Sequence, residues 1–218
     1  MKEVKIAPSI LGVPCQEAPK VIKKLIEDGA DYIHYDVMDG KFVSNNSFPI
    51  EEYKYHKENV PSNVIFDVHL MTYNLFENVK NYSDGATYIT FHYEALEENK
   101  IIELIDYIHS LNVKAGISIC PDTNVEVLLP YLNKIDLVLV MSVVPGKGGQ
   151  SFMPISLDKI SYLDNYRKDN NLSYLIEVDG GINEETSKLV KERNVDILVA
   201  GSFIIKASDY KSQIRKLK

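Results

Sequence analysis

Short apolar segments alternate with longer amphipathic segments along this 218-residue chain, and this alternation limits the fold more than any other feature. Eight segments have the length and composition of buried β-strands: residues 4–10, 32–36, 64–70, 88–91, 114–119, 137–141, 175–178 and 197–200. Eight helix-like segments follow them: residues 16–27, 50–58, 75–82, 100–111, 124–132, 156–168, 184–193 and 208–216. Eight strands that are each followed by a helix predict an α/β fold, a (β/α)8 TIM barrel.

An open, doubly wound sheet would give the same alternation. No G-x-G-x-x-G sequence follows the first strand, however, so a dinucleotide-binding fold is disfavoured. The length is slightly below that of a typical barrel, and no linker, repeat or low-complexity segment interrupts the chain. We therefore expect one catalytic TIM-barrel domain over residues 1–218.

The charge and the cysteine content limit the classes of partner. The net charge is −7, which argues against a nucleic acid as the main partner because phosphate backbones select basic surfaces. A small anionic substrate stays compatible, since backbone amides and helix N-termini bind anions locally. The two cysteines, Cys15 and Cys120, show no paired spacing, so neither a disulfide framework nor a cysteine-based zinc site is expected.

No segment of the sequence predicts export or membrane insertion. The most apolar run, residues 137–144, is far too short to cross a bilayer, and the N-terminus lacks the apolar stretch of a signal peptide. We expect a cytoplasmic protein with no membrane partner. The oligomeric state stays open, and a homo-oligomer is compatible with the sequence.

Two strand segments carry a carboxylate and an imidazole two residues apart. His34 and Asp36 lie in one segment, and Asp67 and His69 lie in another. Side chains at i and i+2 of a strand point to the same face. His34 and Asp36 therefore converge, and His69 can join them from a neighbouring strand. A later strand ends on Asp179.

Two histidines and two aspartates at strand ends suit one divalent metal ion with nitrogen and oxygen ligands. A single Asp or His there is usually a cap or a structural residue, but two such pairs, each followed two residues later by Met, favour a functional site. The expected ligands are His34, Asp36, His69 and Asp179, and Ser9 ends the first strand beside them. All of them lie at the C-terminal ends of strands, where barrels of this kind have their active sites. The ligand types do not choose among zinc, iron, manganese and cobalt.

Glycines follow three consecutive strands near the end of the chain and predict a phosphate-binding cup. Glycine lets backbone N–H groups approach an anion closely, and barrels often bind phosphate in their last loops. One Gly-Gly is usually a tight turn, and a loop lysine is usually only exposed, but three sites in succession favour the cup. The expected substrate-binding positions are Gly146, Lys147, Gly148, Gly149, Gly180, Gly181, Gly201 and Ser202.

Together, the metal cluster and the cup predict an epimerisation. A phosphorylated ketose bound by its phosphate would extend its carbon chain toward the metal ion. The ion would polarise the ketone and the adjacent hydroxyl and stabilise an enediolate. Asp36 and Asp179 could remove a proton on one face of the carbon and return one on the other, sharing one proton between them. This chemistry needs no organic cofactor.

Two further groups of residues lie near the expected site. Met38, Met71 and Met141 stand at or just beyond three strands. Methionine is usually core filler, but the three together could form a water-excluding cap over the site. His92 and Glu94 end the fourth strand; structural hydrogen bonding is their expected role, and support of the site from behind its ligands is the alternative.

The chain resembles the ribulose-phosphate 3-epimerase family over nearly its whole length. The matching motifs cover residues 7–11, 34–45, 67–71, 141–150, 177–182 and 200–202. The resemblance implies a (β/α)8 barrel that interconverts D-ribulose 5-phosphate and D-xylulose 5-phosphate in the pentose phosphate pathway.

The resemblance also implies a role for each matching site residue. His34, Asp36, His69 and Asp179 would bind one divalent metal ion, and Asp36 and Asp179 would be the acid–base pair. Ser9 and His69 would contact the substrate, and the glycine positions and Ser202 would hold it, mainly at its phosphate.

Two positions depart from the usual pattern of the family. Lys147 stands where Phe is common, and Ser44 stands where Pro is common. Neither is an expected metal ligand or proton-transfer residue. We expect both to affect substrate affinity and sugar preference rather than the type of reaction.

Three other functions compete with this one. The nearest is 3-epimerisation of a hexulose phosphate such as D-allulose 6-phosphate, which the Asp179-Gly180-Gly181-Ile182 sequence disfavours only weakly. A decarboxylase that resembles orotidine-phosphate decarboxylase would need Asp-x-Lys-x-x-Asp on a strand, and the strand at 36–39 lacks the lysine. A non-catalytic phosphosugar-binding barrel would have no need for two acids set to exchange protons.

Overall fold

A closed sheet surrounded by helices forms the centre of the protein. The computed structural model describes residues 3–218. Its strands are β1 (Lys5–Ala7), β2 (Ile33–Asp39), β3 (Asn46–Ser47), β4 (Phe66–Met71), β5 (Ala86–His92), β6 (Lys114–Ile119), β7 (Leu137–Met141), β8 (Leu175–Asp179) and β9 (Ile197–Val199). Its α-helices are α1 (Ala18–Glu27), α2 (Ile50–Glu58), α3 (Leu75–Tyr82), α4 (Glu98–Ser110), α5 (Ile155–Asp169), α6 (Glu184–Lys191), α7 (Ser202–Ile205) and α8 (Tyr210–Leu217). None of the helices within residues 3–218 has both the length and the apolar character needed to cross a bilayer.

The sheet is parallel except at the short strand β3, and it closes on itself. Its strand order is β1-β9-β8-β7-β6-β5-β4-β2-β3, and β3 pairs antiparallel with the end of β2. A parallel bridge between Ser9 and His34 closes the seam between β1 and β2, and the amide of His34 donates to the carbonyl of Pro8 over 3.0 Å. The predicted TIM barrel is therefore confirmed.

Most predicted elements are present, but the helix predicted over residues 124–132 is wrong. The structure has only a short 3₁₀ helix there, Val125–Leu128. Pro130 lies inside the predicted helix, and proline both lacks an amide proton and clashes with the preceding helical turn. Two short elements, β3 and α7, have no counterpart among the sequence-based predictions, because neither is long enough to show a periodic pattern.

Alternation along the strands divides the buried side chains into two sets. One set points outward and packs against the helices; it includes the fully buried Ile6, Tyr35 and Val68. The other set points into the barrel. Its apolar part forms a second cluster that includes Leu137, Leu139, Ile197 and Val199. Toward the C-terminal ends of the strands the inward positions become polar and ionisable, and this change creates a reactive mouth above an apolar plug.

The opposite end of the barrel is held by a buried ion-pair network around Arg167. The guanidinium donates to Asp164 Oδ1 from Nε over 3.1 Å and from Nη2 over 2.8 Å. It also pairs with Asp196 and donates to the carbonyl of Tyr174 over 3.1 Å. Because Tyr174 and Asp196 directly precede β8 and β9, the network joins α5 to the N-terminal ends of these two strands.

We expect Arg167→Ala to lower the free energy of unfolding by about 3–5 kcal/mol, because two buried carboxylates lose the buried guanidinium that pairs with both. Lys168→Ala is the matched control: Lys168 Nζ also pairs with Asp164, over 2.6 Å, but its side chain is 60% exposed, so a loss below about 1 kcal/mol is expected. Urea denaturation of the metal-free variants measures both. Equal losses for the two variants would contradict this role of Arg167.

Candidate metal centre and active site

The site is built on the pairing of two neighbouring strands. Strands β2 and β4 are parallel, with Asp36 opposite His69 and His34 opposite Asp67. All four side chains point into the barrel and are buried. Asp179 ends β8, which β9 and β1 separate from β2 around the barrel. The two histidines and two aspartates that the sequence analysis selected therefore reach the same mouth from three strands.

The spacing of these four side chains fits a single cation. One ligand atom from each of His34, Asp36, His69 and Asp179 lies within 4.8 Å of all the others. His34 Nε2 lies 3.4 Å from Asp36 Oδ1 and 3.4 Å from His69 Nδ1, and His69 Nδ1 lies 3.2 Å from Asp36 Oδ1. Ligand atoms bonded to one tetrahedral ion at about 2.0–2.1 Å lie about 3.4 Å apart. The residues present thus fit a divalent metal ion of the zinc type.

A second row of acids lies behind His34. Its Nδ1 lies 2.5 Å from Asp67 Oδ2, so Nδ1 carries the proton and Nε2 faces the cluster. Glu177 adjoins this pair, with Oε1 3.9 Å from His34 Nδ1. Burial and the charge of Asp67 raise the pKa of Glu177 well above its usual value, so Glu177 stays protonated and adds no second charge. A carboxylate behind a histidine ligand fixes the tautomer of the ring and raises its basicity.

Ser9 fixes the orientation of Asp36. The Ser9 hydroxyl donates to Asp36 Oδ2 over 2.6 Å and accepts from the amide of Leu11 over 3.3 Å. Asp36 Oδ1 is the oxygen that approaches both histidines. The two oxygens of this carboxylate thus have separate partners, one in the cluster and one just after β1.

The two aspartates differ in their affinity for protons. Burial opposes the ionisation of Asp36, but the charge of His34 and its hydrogen bond to Asp36 outweigh it, so the pKa of Asp36 lies well below its usual value. Burial and the charge of Asp36 raise the pKa of Asp179 to about 7. Asp36 is therefore ionised near neutral pH, whereas Asp179 can both take up and release a proton there. This is the arrangement that acid–base chemistry on two faces of a carbon needs.

The two histidines also differ. Burial opposes protonation of His34, but the charges of Asp36 and Asp67 raise its pKa well above the usual value. Burial lowers the pKa of His69. Without a cation, His34 thus carries the positive charge that balances the acids.

The glycine-rich loops lie against one another at the mouth. A Cβ at Gly181 would come within 2.5 Å of the Phe152 backbone amide, and one at Gly180 within 2.6 Å of the Val143 side chain. Both glycines have positive φ, 64° and 123°, which other residues rarely adopt. The loop after β8 therefore packs against the loop after β7. Gly201 lies beside Ser9, whose Cβ would be 3.6 Å from an added Cβ.

The segment with Gly146, Lys147, Gly148 and Gly149 is held to the loop after β2. Asn45 Nδ2 donates to the carbonyl of Gly146 over 2.6 Å, and a Cβ at Gly146 would meet Val43. Lys147 is exposed. Ser202, which begins α7, is also exposed and follows Gly201 directly.

The three methionines do not form one group. Met38 and Met71 are buried together with Val43, and Leu11 and Phe42 pack against them. Met141 belongs to the apolar cluster inside the barrel, although it pairs with Asp179 across β7 and β8. Met38 and Met71 therefore share one apolar cluster, and Met141 lies in another.

Another group with ligand-type side chains is structural. Cys15, Glu52 and His56 lie close enough to share an ion, but both nitrogens of His56 are occupied. His56 Nε2 lies 2.9 Å from the carbonyl of Cys15, and its Nδ1 lies 2.9 Å from the Tyr35 hydroxyl. His56 therefore has no free lone pair for a metal ion.

The roles of Asp67, Glu177 and Asp39 were not apparent from the sequence. Asp67 and Glu177 lie two residues before His69 and Asp179, a spacing that signals a shared face, but only the strand register shows that Asp67 contacts His34. Asp39 accepts from the amides of Lys41 and Phe42 over 2.8 Å and from Tyr73 over 2.9 Å. It joins the loops after β2 and β4.

The fold and the cluster define a class of protein: a (β/α)8 barrel whose mouth combines a cation-sized group of two imidazoles and two carboxylates with glycine-rich loops. Comparison with known proteins identifies the family within this class. Residues 5–205 match the model of the Ribulose-phosphate 3 epimerase family, and the chain belongs to this family.

Individual relatives agree with this assignment. A ribulose-phosphate 3-epimerase from Chlamydia pneumoniae is 39% identical over 209 residues, which cover 94% of this chain and 90% of the relative. One from Schizosaccharomyces pombe is 36% identical over 220 residues and covers 100% of this chain and 94% of its own. The structure of KGPDC from Streptococcus mutans has a TM-score of 0.72 at 14% identity, with 99% and 96% of the two chains covered. This last likeness shows the barrel fold alone.

The raised pKa of Asp179 predicts an unusual pH dependence of stability for the metal-free protein. Between about pH 4, where an unfolded aspartate titrates, and the folded pKa of about 7, the native state holds a proton that the unfolded state has released. The free energy of unfolding therefore falls as the pH rises through this window. Between about pH 5 and about pH 8 the wild-type protein should lose a few kcal/mol of unfolding free energy, and Asp179→Asn should not show this loss. Urea denaturation of chelator-treated protein measures both. His34 changes in both proteins and cancels, so parallel pH profiles would contradict the prediction.

Proposed function

We propose that this protein is a metal-dependent ribulose-phosphate 3-epimerase, which interconverts D-ribulose 5-phosphate and D-xylulose 5-phosphate by inverting C3 of the sugar. Membership of the family supports the reaction. The observation that carries the mechanism is the convergence of two carboxylates with opposite pKa shifts, Asp36 and Asp179, on one pair of imidazoles. The proposal treats residues 1–218 as one catalytic domain.

The proposed cofactor is one divalent metal ion held by His34, Asp36, His69 and Asp179, with no organic cofactor. When bound, such an ion would polarise the ketone and the adjacent hydroxyl of the substrate and acidify the C3–H bond. The donor set of two imidazoles and two carboxylates serves zinc, iron, manganese and cobalt alike.

The two aspartates carry out the proton transfers in this proposal. Asp36, ionised and held by Ser9, accepts the C3 proton on one face and leaves an enediolate. Asp179, protonated, returns a proton to C3 on the other face. One forward turnover leaves Asp36 protonated and Asp179 ionised, so proton exchange with solvent restores the starting state before the next one; in the reverse direction the two residues exchange roles.

The surrounding loops bind and enclose the substrate. In the proposal, backbone amides around Gly146, Gly180 and Gly201 and the neighbouring side chains hold the phosphate. In the proposal, the buried Met38 and Met71, which pack together with Val43, exclude water from the site and protect the enediolate from stray protons. His69 contacts both the ion and the sugar.

Proton NMR in D2O tests this function directly. Metal-loaded protein with D-ribulose 5-phosphate should give D-xylulose 5-phosphate that carries deuterium at C3. Early in the reaction the remaining substrate should keep its protium, because two different acids serve the two faces. D-Allulose 6-phosphate is measured in parallel. Faster turnover of the hexose would move the assignment to that sugar, and no exchange with either sugar would overturn the epimerase assignment.

We expect Asp36→Asn and Asp179→Asn each to lower turnover by about 10²- to 10⁴-fold, the usual contribution of a positioned acid or base. Asp106→Asn, at an exposed position of α4, is the matched control and should keep wild-type turnover. Metal content is measured for each variant, because both aspartates are also proposed ligands. Wild-type turnover by either variant would contradict the two-acid mechanism.

A further inference from the structure

A chain of three side chains runs from the metal cluster into the wall of the barrel. His69 has Nδ1 in the cluster, while its Nε2 lies 2.8 Å from Nε2 of His92. His92 Nδ1 in turn lies 3.2 Å from Glu94 Oε2. We call His69, His92 and Glu94 the imidazole relay. Its far end, Glu94, touches none of the four proposed ligands.

Each contact in the imidazole relay needs one proton and one lone pair. If Glu94 accepts from Nδ1 of His92, then Nε2 of a neutral His92 has only a lone pair and must accept. The proton between the two rings then belongs to His69 Nε2. Neutral His69 has a single ring proton, so its Nδ1 is left with the lone pair that a metal ion needs.

Glu94 is held as an acceptor by its other oxygen. Its Oε1 accepts from the amide of Cys120 over 2.8 Å and from the hydroxyl of Thr123. Burial opposes ionisation of Glu94, but hydrogen bonds from His92, Thr123 and the Cys120 amide outweigh it and hold its pKa at about 2. The relay thus ends on a carboxylate that accepts from His92 Nδ1.

The packing around His69 and His92 holds both rings in place, so only the positions of their protons can change. The rings of His69 and His92 meet edge to edge and are nearly coplanar, with centroids 4.9 Å apart and planes at 29°. Phe42 covers His92 with ring centroids 4.8 Å apart. Both histidines are fully buried. Since neither ring has room to turn over, the direction of the hydrogen bonds decides which nitrogen of His69 is deprotonated.

We infer that Glu94, acting through His92, is a positioning residue that selects the tautomer of His69 with Nδ1 free to bind the metal ion. The inference rests on the proposed function, because it assumes that His69 is a ligand. It adds a residue two side chains away from the ion to the machinery of the site. Asp36 Oδ1, 3.2 Å from His69 Nδ1, would by itself favour the opposite tautomer, so the relay opposes a competing acceptor.

The variant Glu94→Gln tests this inference because it reverses the relay. The Cys120 amide can only donate, so the side-chain oxygen of Gln must face it, which turns the NH2 group toward His92 Nδ1. His92 then accepts at Nδ1, carries its proton on Nε2 and donates to His69. The proton of His69 moves to Nδ1 and occupies the metal position.

Thr123→Val is the matched control. It removes one hydrogen bond to Glu94 Oε1 but keeps the Cys120 amide on that oxygen and the carboxylate on His92. A structural role of Glu94 would make both variants behave alike. Thermal unfolding of the metal-free proteins confirms that both variants are folded.

Two readouts follow, and neither uses turnover. The first is ¹⁵N–¹H NMR of the imidazole nitrogens of metal-free protein, which has only five histidines. We expect His69 protonated on Nε2 and His92 on Nδ1 in the wild type and in Thr123→Val, and the reverse in Glu94→Gln. The second is competition between the protein and a chelator for Zn²⁺ and Co²⁺. Glu94→Gln should bind both about 10- to 100-fold more weakly, and Thr123→Val should match the wild type.

Either of two results would overturn the inference: a wild-type His69 that carries its proton on Nδ1, which needs no variant to be folded, or wild-type metal affinity in folded Glu94→Gln. Substrate is absent from both experiments. Failure of the epimerase assay with intact metal binding would therefore reject the proposed function and leave the relay in place. Normal turnover with unchanged tautomers in Glu94→Gln would reject the relay alone.

Discussion

The register between β2 and β4 is the constraint on which the site depends. The pairing of Asp36 with His69 sets two proposed ligands side by side, and the pairing of His34 with Asp67 sets a third beside the acid that fixes its tautomer. A slip by one residue would turn these side chains into the helix layer and bring apolar side chains into the mouth. The outward residues of the same strands, such as Tyr35 and Val68, are fully buried against helices. The apolar core outside the barrel thus fixes the geometry of the polar cluster inside it.

A cluster of buried acids is costly, and the protein limits that cost in three ways. Asp36 and Asp67 are placed around one protonated imidazole, His34. The raised pKa values of Glu177 and Asp179 favour their uncharged forms, which limits the charge that is buried. Third, the buried carboxylates that pair with Arg167 lie at the opposite end of the barrel, away from the acids of the mouth. Barrels commonly divide stability and chemistry between their two ends in this manner.

Much of the fold and the ligand set could be predicted from residue patterns. Strand periodicity alone places His34 beside Asp36, and the C-terminal position of Asp179 on its strand follows from the barrel. Apolar periodicity predicted a helix over 124–132, but Pro130 prevents that helix from forming. The contacts of Asp67 with His34 and of Glu94 with His92 could not be predicted, since they depend on register and on rotamers rather than on local pattern. The dispersal of the methionines has the same cause: Met141 faces the barrel interior, whereas Met38 and Met71 lie under the loop after β2.

The bridge between Ser9 and His34 gives the site a second consequence, for the integrity of the barrel wall. Apart from the short β3, every other pair of neighbouring strands is joined by a ladder of at least three residue pairs, whereas the seam between β1 and β2 has a single residue bridge and a few backbone hydrogen bonds beside it. The Ser9 hydroxyl also donates a hydrogen bond to Asp36 across the same seam. A ligand that binds His34, Asp36 and Asp179 together would therefore link β2 to β8 across the seam that has the fewest residue pairings. Binding in the mouth would thus reinforce a closure that the bridge between Ser9 and His34 already makes.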